Sequence, residues 1–124
     1  MPERKRRILC AESHQDIADL IVLLLEQKGY EVKTTRTIAE TLDSAESEQF
    51  DIFIVNDDYV DGDSIVLLET LRQRYAATPV LLFSLDTAGE YRDAGQDISV
   101  HHFLTKTSDF AALVQTIDKL LQAG

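Results

Sequence analysis

The apolar run Ile52-Phe53-Ile54-Val55 stops abruptly at Asn56-Asp57-Asp58. A glycine-containing turn, Asp61-Gly62-Asp63-Ser64, then leads into a helical pattern from Ile65. A run this short and this apolar reads as a strand buried on both faces, which places it inside a parallel sheet covered by helices on each side. Ligands of such sheets bind outside the carboxyl ends of the strands, near the point where strand order reverses. The polar residues that follow Val55 are therefore the first candidates for chemistry.

The rest of the chain repeats this rhythm. Ile8-Leu9-Cys10-Ala11 is a second central strand, ending at Glu12. Ser13 and Asp16 have the spacing of a capping box, opening a helix with Ile17, Leu20, Ile21, Leu24 and Leu25 at one-face spacing and Gly29 at its end. Tyr30 to Thr34 alternates as an exposed strand does. Thr37 and Glu40 form a second capping box for a helix through about Glu48, with Ile38, Leu42 and Ala45 inward. A helix from about Ser64 to Tyr75 carries Ile65, Leu68 and Leu71. Val80-Leu81-Leu82-Phe83 is a strand ending at Ser84, and His101-His102-Phe103-Leu104 is a strand ending at Lys106. A last helix from about Ser108 buries Phe110, Leu113, Val114, Ile117, Leu120 and Leu121. Between Ser84 and His101 the rhythm requires a fourth helix, but Gly89, Gly95 and few apolar anchors predict a short or displaced one.

Five strand–helix units in 124 residues predict a flavodoxin-like α/β sandwich, a parallel sheet of order 2-1-3-4-5 with helices on both faces. The expected organisation is a basic leader over 1–6 and one domain over 7–122. Glu12, Asn56, Ser84 and Lys106 all fall at strand carboxyl ends and should converge.

A net charge of −10 argues against direct nucleic-acid binding. The run Arg4-Lys5-Arg6-Arg7 is expected to be a solvated leader. Cys10, the single cysteine, reads as a buried core thiol. No apolar run is long enough to cross a membrane, and no signal-peptide core follows the basic start, so a cytoplasmic protein is expected.

Asp61-Gly62-Asp63-Ser64, Thr78-Pro79-Val80 with Ser84, and Phe103-Leu104-Thr105-Lys106 together resemble the response-regulator receiver domain (CheY-like) of two-component signalling, from about Arg7 to Leu121. The resemblance implies an aspartate nucleophile at the end of the third strand, phosphorylated by a histidine kinase. It also implies an acidic pair holding Mg²⁺, a hydroxyl at Ser84, a lysine at Lys106 and an aromatic switch at Phe103, with Ser84 and Phe103 as switch residues.

This chain departs from that pattern. Asn56 stands at the acceptor position, and an amide nitrogen with a delocalised lone pair is not a usable nucleophile. Glu12 matches one member of the acidic pair, but Ser13 stands at the other, where capping the first helix accounts for it. Glu12 and Lys106 cancel in charge, so Mg²⁺ binding should be weak or absent, with Glu12, Asn56 and Asp58 as its candidates. Glu12 and Lys106 are expected to pair across the pocket with Asn56 bonded between them. No cofactor is expected. The resemblance is thus to a pseudo-receiver, a non-catalytic signalling domain.

The alternative is a phosphorylatable receiver using Asp57 with Mg²⁺, which requires a register slip or bulge because successive strand residues face opposite ways. The remaining acidic residues lack calcium-loop spacing and read as a solvated rim. His101 and His102 face opposite sides of a strand and make a poor chelate, and the loop after Glu12 lacks the glycines of a flavin-phosphate cradle. Expected partners are proteins docking on the face of the fourth helix, fifth strand and fifth helix: a histidine kinase, a fused or associated effector, or a second copy. No nucleic acid or membrane is expected.

Overall fold

The computed structural model describes residues 5–56, 58–84, 102–105 and 110–122. The expected fourth helix, within 86–99, lies outside these residues. The elements are β1 (Arg7–Ala11), α1 (Gln15–Gln27), β2 (Glu31–Thr35), α2 (Ile38–Ser47), β3 (Ile52–Val55), β4 (Asp58–Tyr59), β5 (Gly62–Asp63), α3 (Ser64–Arg74), β6 (Val80–Ser84), β7 (His102–Thr105) and α4 (Phe110–Gln122). The fourth and fifth strands expected from sequence are therefore β6 and β7.

Five strands form one parallel sheet of order β2-β1-β3-β6-β7. This is the anticipated order, with the reversal between β1 and β3. Strand alternation divides the core into two layers. Leu9, Ala11, Phe53, Val55, Val80 and Leu82 pack with α2 and α3 through Ile38, Ala45, Leu67, Leu68 and Leu71. Their neighbours Ile8, Cys10, Ile52, Ile54, Leu81 and Phe83 pack with α1 and α4 through Ile21, Leu25, Leu113, Ile117 and Leu121. Cys10 is buried, as expected.

The helix ends show which local signals operate. At the end of α1, Gly29 has φ of 89°; its N–H donates to Glu26 O at 3.0 Å, and Tyr30 N–H donates to Leu25 O at 3.2 Å. This is the left-handed glycine termination anticipated from sequence. The Thr37 hydroxyl accepts from Glu40 N–H at 3.1 Å while Glu40 Oε1 accepts from Arg36 N–H at 3.2 Å, completing the cap of α2.

Other expectations are corrected. The Ser13 capping box does not form: His14 is the N-cap residue of α1 and no side chain caps it. Leu20 faces outward, 38% exposed, because Ala18, Ile21 and Leu25 supply the buried stripe. In α3 the buried apolar positions are Leu67, Leu68 and Leu71, with Ile65 at the margin.

Arg7 is no solvated leader either. It opens β1, donates through Nε to Glu31 at 2.5 Å and through a terminal nitrogen to Glu48 at 2.6 Å, and lies 4.8 Å from the centre of the Phe50 ring. Lys33 also pairs with Glu48. The guanidinium thus ties together the starts of β1 and β2 and the segment that follows α2.

Candidate functional site

Register determines what meets at the carboxyl edge of the sheet. Ala11 pairs with Val55, Val55 with Leu82, and Ser84 with Thr105. Glu12 and Asn56 leave their strands side by side, and the Asn56 N–H continues the ladder to Ala11 O at 3.1 Å. Lys106 and Asp57 lie outside the described residues, and with them the expected Glu12–Lys106 pairing.

Two side chains at this edge are almost wholly buried, Glu12 at 2% and Asn56 at 1% exposure. Glu12 Oε2 accepts from the His14 backbone N–H at 3.0 Å and lies 3.2 Å from His14 Nδ1. Asn56 Nδ2 donates to Ser13 Oγ at 2.7 Å, and that oxygen is 3.4 Å from His14 Nδ1. Ser13, expected to cap α1, is instead the hydrogen-bond partner of Asn56. A string therefore runs Asn56–Ser13–His14–Glu12, with its two ends buried and His14 53% exposed between them.

Tyr59 belongs to the same site and was not singled out in the sequence. The hairpin of β4 and β5 pairs Tyr59 with Gly62, turning through Val60 and Asp61. The ring is 5% exposed and joins the α2–α3 layer of the core. Its hydroxyl donates to Ala11 O at 2.6 Å and accepts from Asn56 N–H at 2.8 Å. The signal available in the sequence was an aromatic residue interrupting the acidic run directly after the strand.

Two members of the expected acidic rim are helix caps. The Asp61 carboxylate accepts from Ile38 N–H at 2.9 Å and Ala39 N–H at 3.0 Å. These backbone bonds, Ala39 first, hold its pKa below the ordinary carboxylate value. Asp63 accepts from Ile65 N–H at 3.0 Å and caps α3. Gly62 allows the hairpin to approach α2: its φ is 156°, and a β-carbon there would sit 2.9 Å from Ile38 Cδ1.

Among the described residues the donor set does not suit Mg²⁺, which demands near-octahedral oxygen coordination. Glu12 Oε2 is engaged by His14 and the Ser13 hydroxyl by Asn56. No three His, Cys, Asp or Glu side chains gather around a metal position among the described residues. A cleft of about 560 Å³, lined in part by Phe50, Phe53 and Tyr75, opens instead at the amino ends of the strands.

Comparison with known proteins agrees with this architecture. The model of the family described as response regulator receiver domain matches residues 8–118. The response regulator protein PilR of Pseudomonas aeruginosa is 26% identical over 95% of this chain and 26% of its own length. The CAI-1 autoinducer sensor kinase/phosphatase CqsS of Vibrio cholerae is 26% identical over 91% of this chain and 17% of its own. The chain thus spans about a quarter or less of these two relatives. The crystal structure of a CheY-like receiver domain protein from Methanospirillum hungatei JF-1 superposes with a TM-score of 0.91 at 22% identity, covering 97% of this chain and 96% of that one.

Proposed function

This chain belongs to the response regulator receiver domain family, the receiving module of two-component signalling, and on that premise we propose that it signals without phosphorylation at the usual position. The observation that carries the reading is Asn56. It follows β3 directly, is 1% exposed, and its amide donates to Ser13. Phosphoryl transfer needs a carboxylate oxygen to attack and charge-neutralising groups around the transferred oxygens. An amide offers no such nucleophile, and Glu12 is left as the buried carboxylate beside it.

On this reading the module is non-catalytic and needs no Mg²⁺. It works by protein–protein contact across β7, α4 and the segment 86–99, where the sequence leads one to expect a further helix, with Ser84 and Phe103 as remnants of the switch. Its partner is a histidine kinase, an effector fused or associated with it, or a second copy. The receiver proper spans 7–122, preceded by a basic leader over 1–6. No helix among the described residues is long and apolar enough to cross a membrane, and the proposed setting is the cytoplasm.

An NMR titration with Mg²⁺ followed by beryllofluoride, a mimic of the transferred phosphoryl group, tests the reading. Undisturbed amide signals for Glu12, Asn56 and Ser84 support it. Saturable metal-dependent shifts at these positions would replace it with the phosphorylatable alternative, in which Asp57 is the acceptor.

A further inference from the structure

We infer that Asn56 is a site of self-catalysed deamidation, hydrolysed by water to aspartate with the help of Ser13 and His14. The inference rests on the reading of Asn56 as the occupant of the acceptor position, and it adds a route by which the missing carboxylate could be made.

Amide hydrolysis is slow because the nitrogen leaves poorly until it is protonated. In the intact amide Nδ2 donates to Ser13 Oγ; once water has added, the nitrogen carries a free lone pair and the same contact can return a proton to it. Asn56 Nδ2 is 2.7 Å from Ser13 Oγ, which is 3.4 Å from His14 Nδ1, and Nδ1 is 3.2 Å from Glu12 Oε2. His14 is 53% exposed and Glu12 2% exposed, so the string runs from a ring that exchanges protons with solvent to a buried amide. Ser13 is partly exposed, so the string reaches solvent at Ser13 as well as at His14.

The step balances as follows. Water adds to Asn56 Cγ and releases one proton to solvent. Ser13 Oγ passes its proton to Nδ2 and regains one from His14 Nδ1, which is replenished from solvent. The Cγ–Nδ2 bond breaks, and ammonia leaves as ammonium with the proton of the new carboxylic acid. The product is a carboxylate at position 56 beside Glu12. No oxidant, metal or nucleotide is required. The Asn56 backbone N–H is held by Ala11 O and the Tyr59 hydroxyl, which keeps the side chain in register with Ser13 while this happens. Ser13 and His14 act here as proton-transfer groups of a single-turnover reaction on the chain itself.

Asn56 is the single asparagine among the 124 residues, which makes the test clean. Freshly purified protein is held at physiological temperature, folded or in urea, and the peptide carrying position 56 is followed by mass spectrometry with separation of aspartate from isoaspartate. The folded chain should convert roughly a hundredfold faster than the unfolded one, the lower end of what positioned acid–base groups achieve. The product should be aspartate, because direct hydrolysis bypasses the cyclic imide that yields isoaspartate. Ser13→Ala and His14→Gln should each remove most of the acceleration, and the exposed position of His14 keeps the second variant informative if the first fails to fold. A folded rate equal to or below the unfolded rate, a product that is mainly isoaspartate, or full acceleration in His14→Gln would overturn the proposal. No phosphodonor is present, so failure here leaves the reading of the fresh protein untouched; a phosphoryl adduct on fresh protein would overturn that reading alone.

Discussion

The Tyr59 hydroxyl donates to the Ala11 carbonyl at 2.6 Å, tying the β4–β5 hairpin to the carboxyl end of β1. The same oxygen accepts from Asn56 N–H at 2.8 Å, so one buried phenol joins the ends of both central strands. Tyr59→Phe keeps the ring in the core and removes these two bonds. Asn56 N–H and Ala11 O still hold each other at 3.1 Å, so the expected loss is about 1 kcal/mol, the net worth of an ordinary hydrogen bond. Urea denaturation measures it. Tyr59→Ala also empties the ring's place in the core and should cost about 3–5 kcal/mol.

Ser64 presents the opposite case. It is fully buried at the start of α3, and its hydroxyl has no hydrogen-bond partner among the described residues. An unsatisfied buried hydroxyl carries a desolvation penalty of about 1–3 kcal/mol. Ser64→Ala removes the penalty and suits a helix better, so it should raise stability by about 1 kcal/mol. Thermal and urea unfolding of the two proteins check this.

Asp61 predicts an acid-dependent loss. Its pKa is held down by the Ala39 and Ile38 N–H groups at the start of α2, so the folded state favours the carboxylate more than the unfolded state does. The stabilisation is present above the unfolded value of about 3.9 and disappears as pH falls through the lower folded value. Asp61→Ala should therefore lower the unfolding midpoint at neutral pH and match the parent once both forms of the group are protonated. Denaturation curves at the two pH extremes decide it.

At alkaline pH the sensitive group is Tyr30. Burial first, and then its bond to Asp118, push its pKa up to about 12. The folded state holds the phenolic proton more tightly, so stability is intact below about pH 10, the unfolded value, and falls as pH rises toward the folded one. An ultraviolet titration should show a late-ionising phenol that is lost in Tyr30→Phe. Tyr30→Phe should abolish that part of the alkaline decline.

Much of this molecule was readable from local pattern. Ile8–Ala11, Ile52–Val55 and Val80–Phe83 are so uniformly apolar that only central parallel strands accommodate them, and they fixed the sheet order and the edge where Glu12 and Asn56 meet. The Thr37–Glu40 cap was legible because its partners are three residues apart. What escaped depends on contacts distant in sequence. Ser13 has the spacing of a cap, yet its hydroxyl accepts from Asn56, 43 residues away, at 2.7 Å. Asp61 belongs to an acidic stretch that reads as solvated rim until the hairpin folds it onto α2, 23 residues earlier. Arg7 sits in a basic run, but strand pairing brings it against Glu31 and Glu48. The two-residue strands β4 and β5 are too short for alternation to reveal, so Tyr59 could not be assigned to the core.

The central claim is that Asn56 leaves this receiver without its usual acceptor. The most direct measurement is the intact mass of freshly purified protein after incubation with acetyl phosphate and Mg²⁺, alongside Asn56→Asp treated identically. The account predicts no phosphoryl adduct on the parent chain, and any adduct of the variant confined to position 56. A metal-dependent adduct on the parent that maps to Asp57 would contradict it.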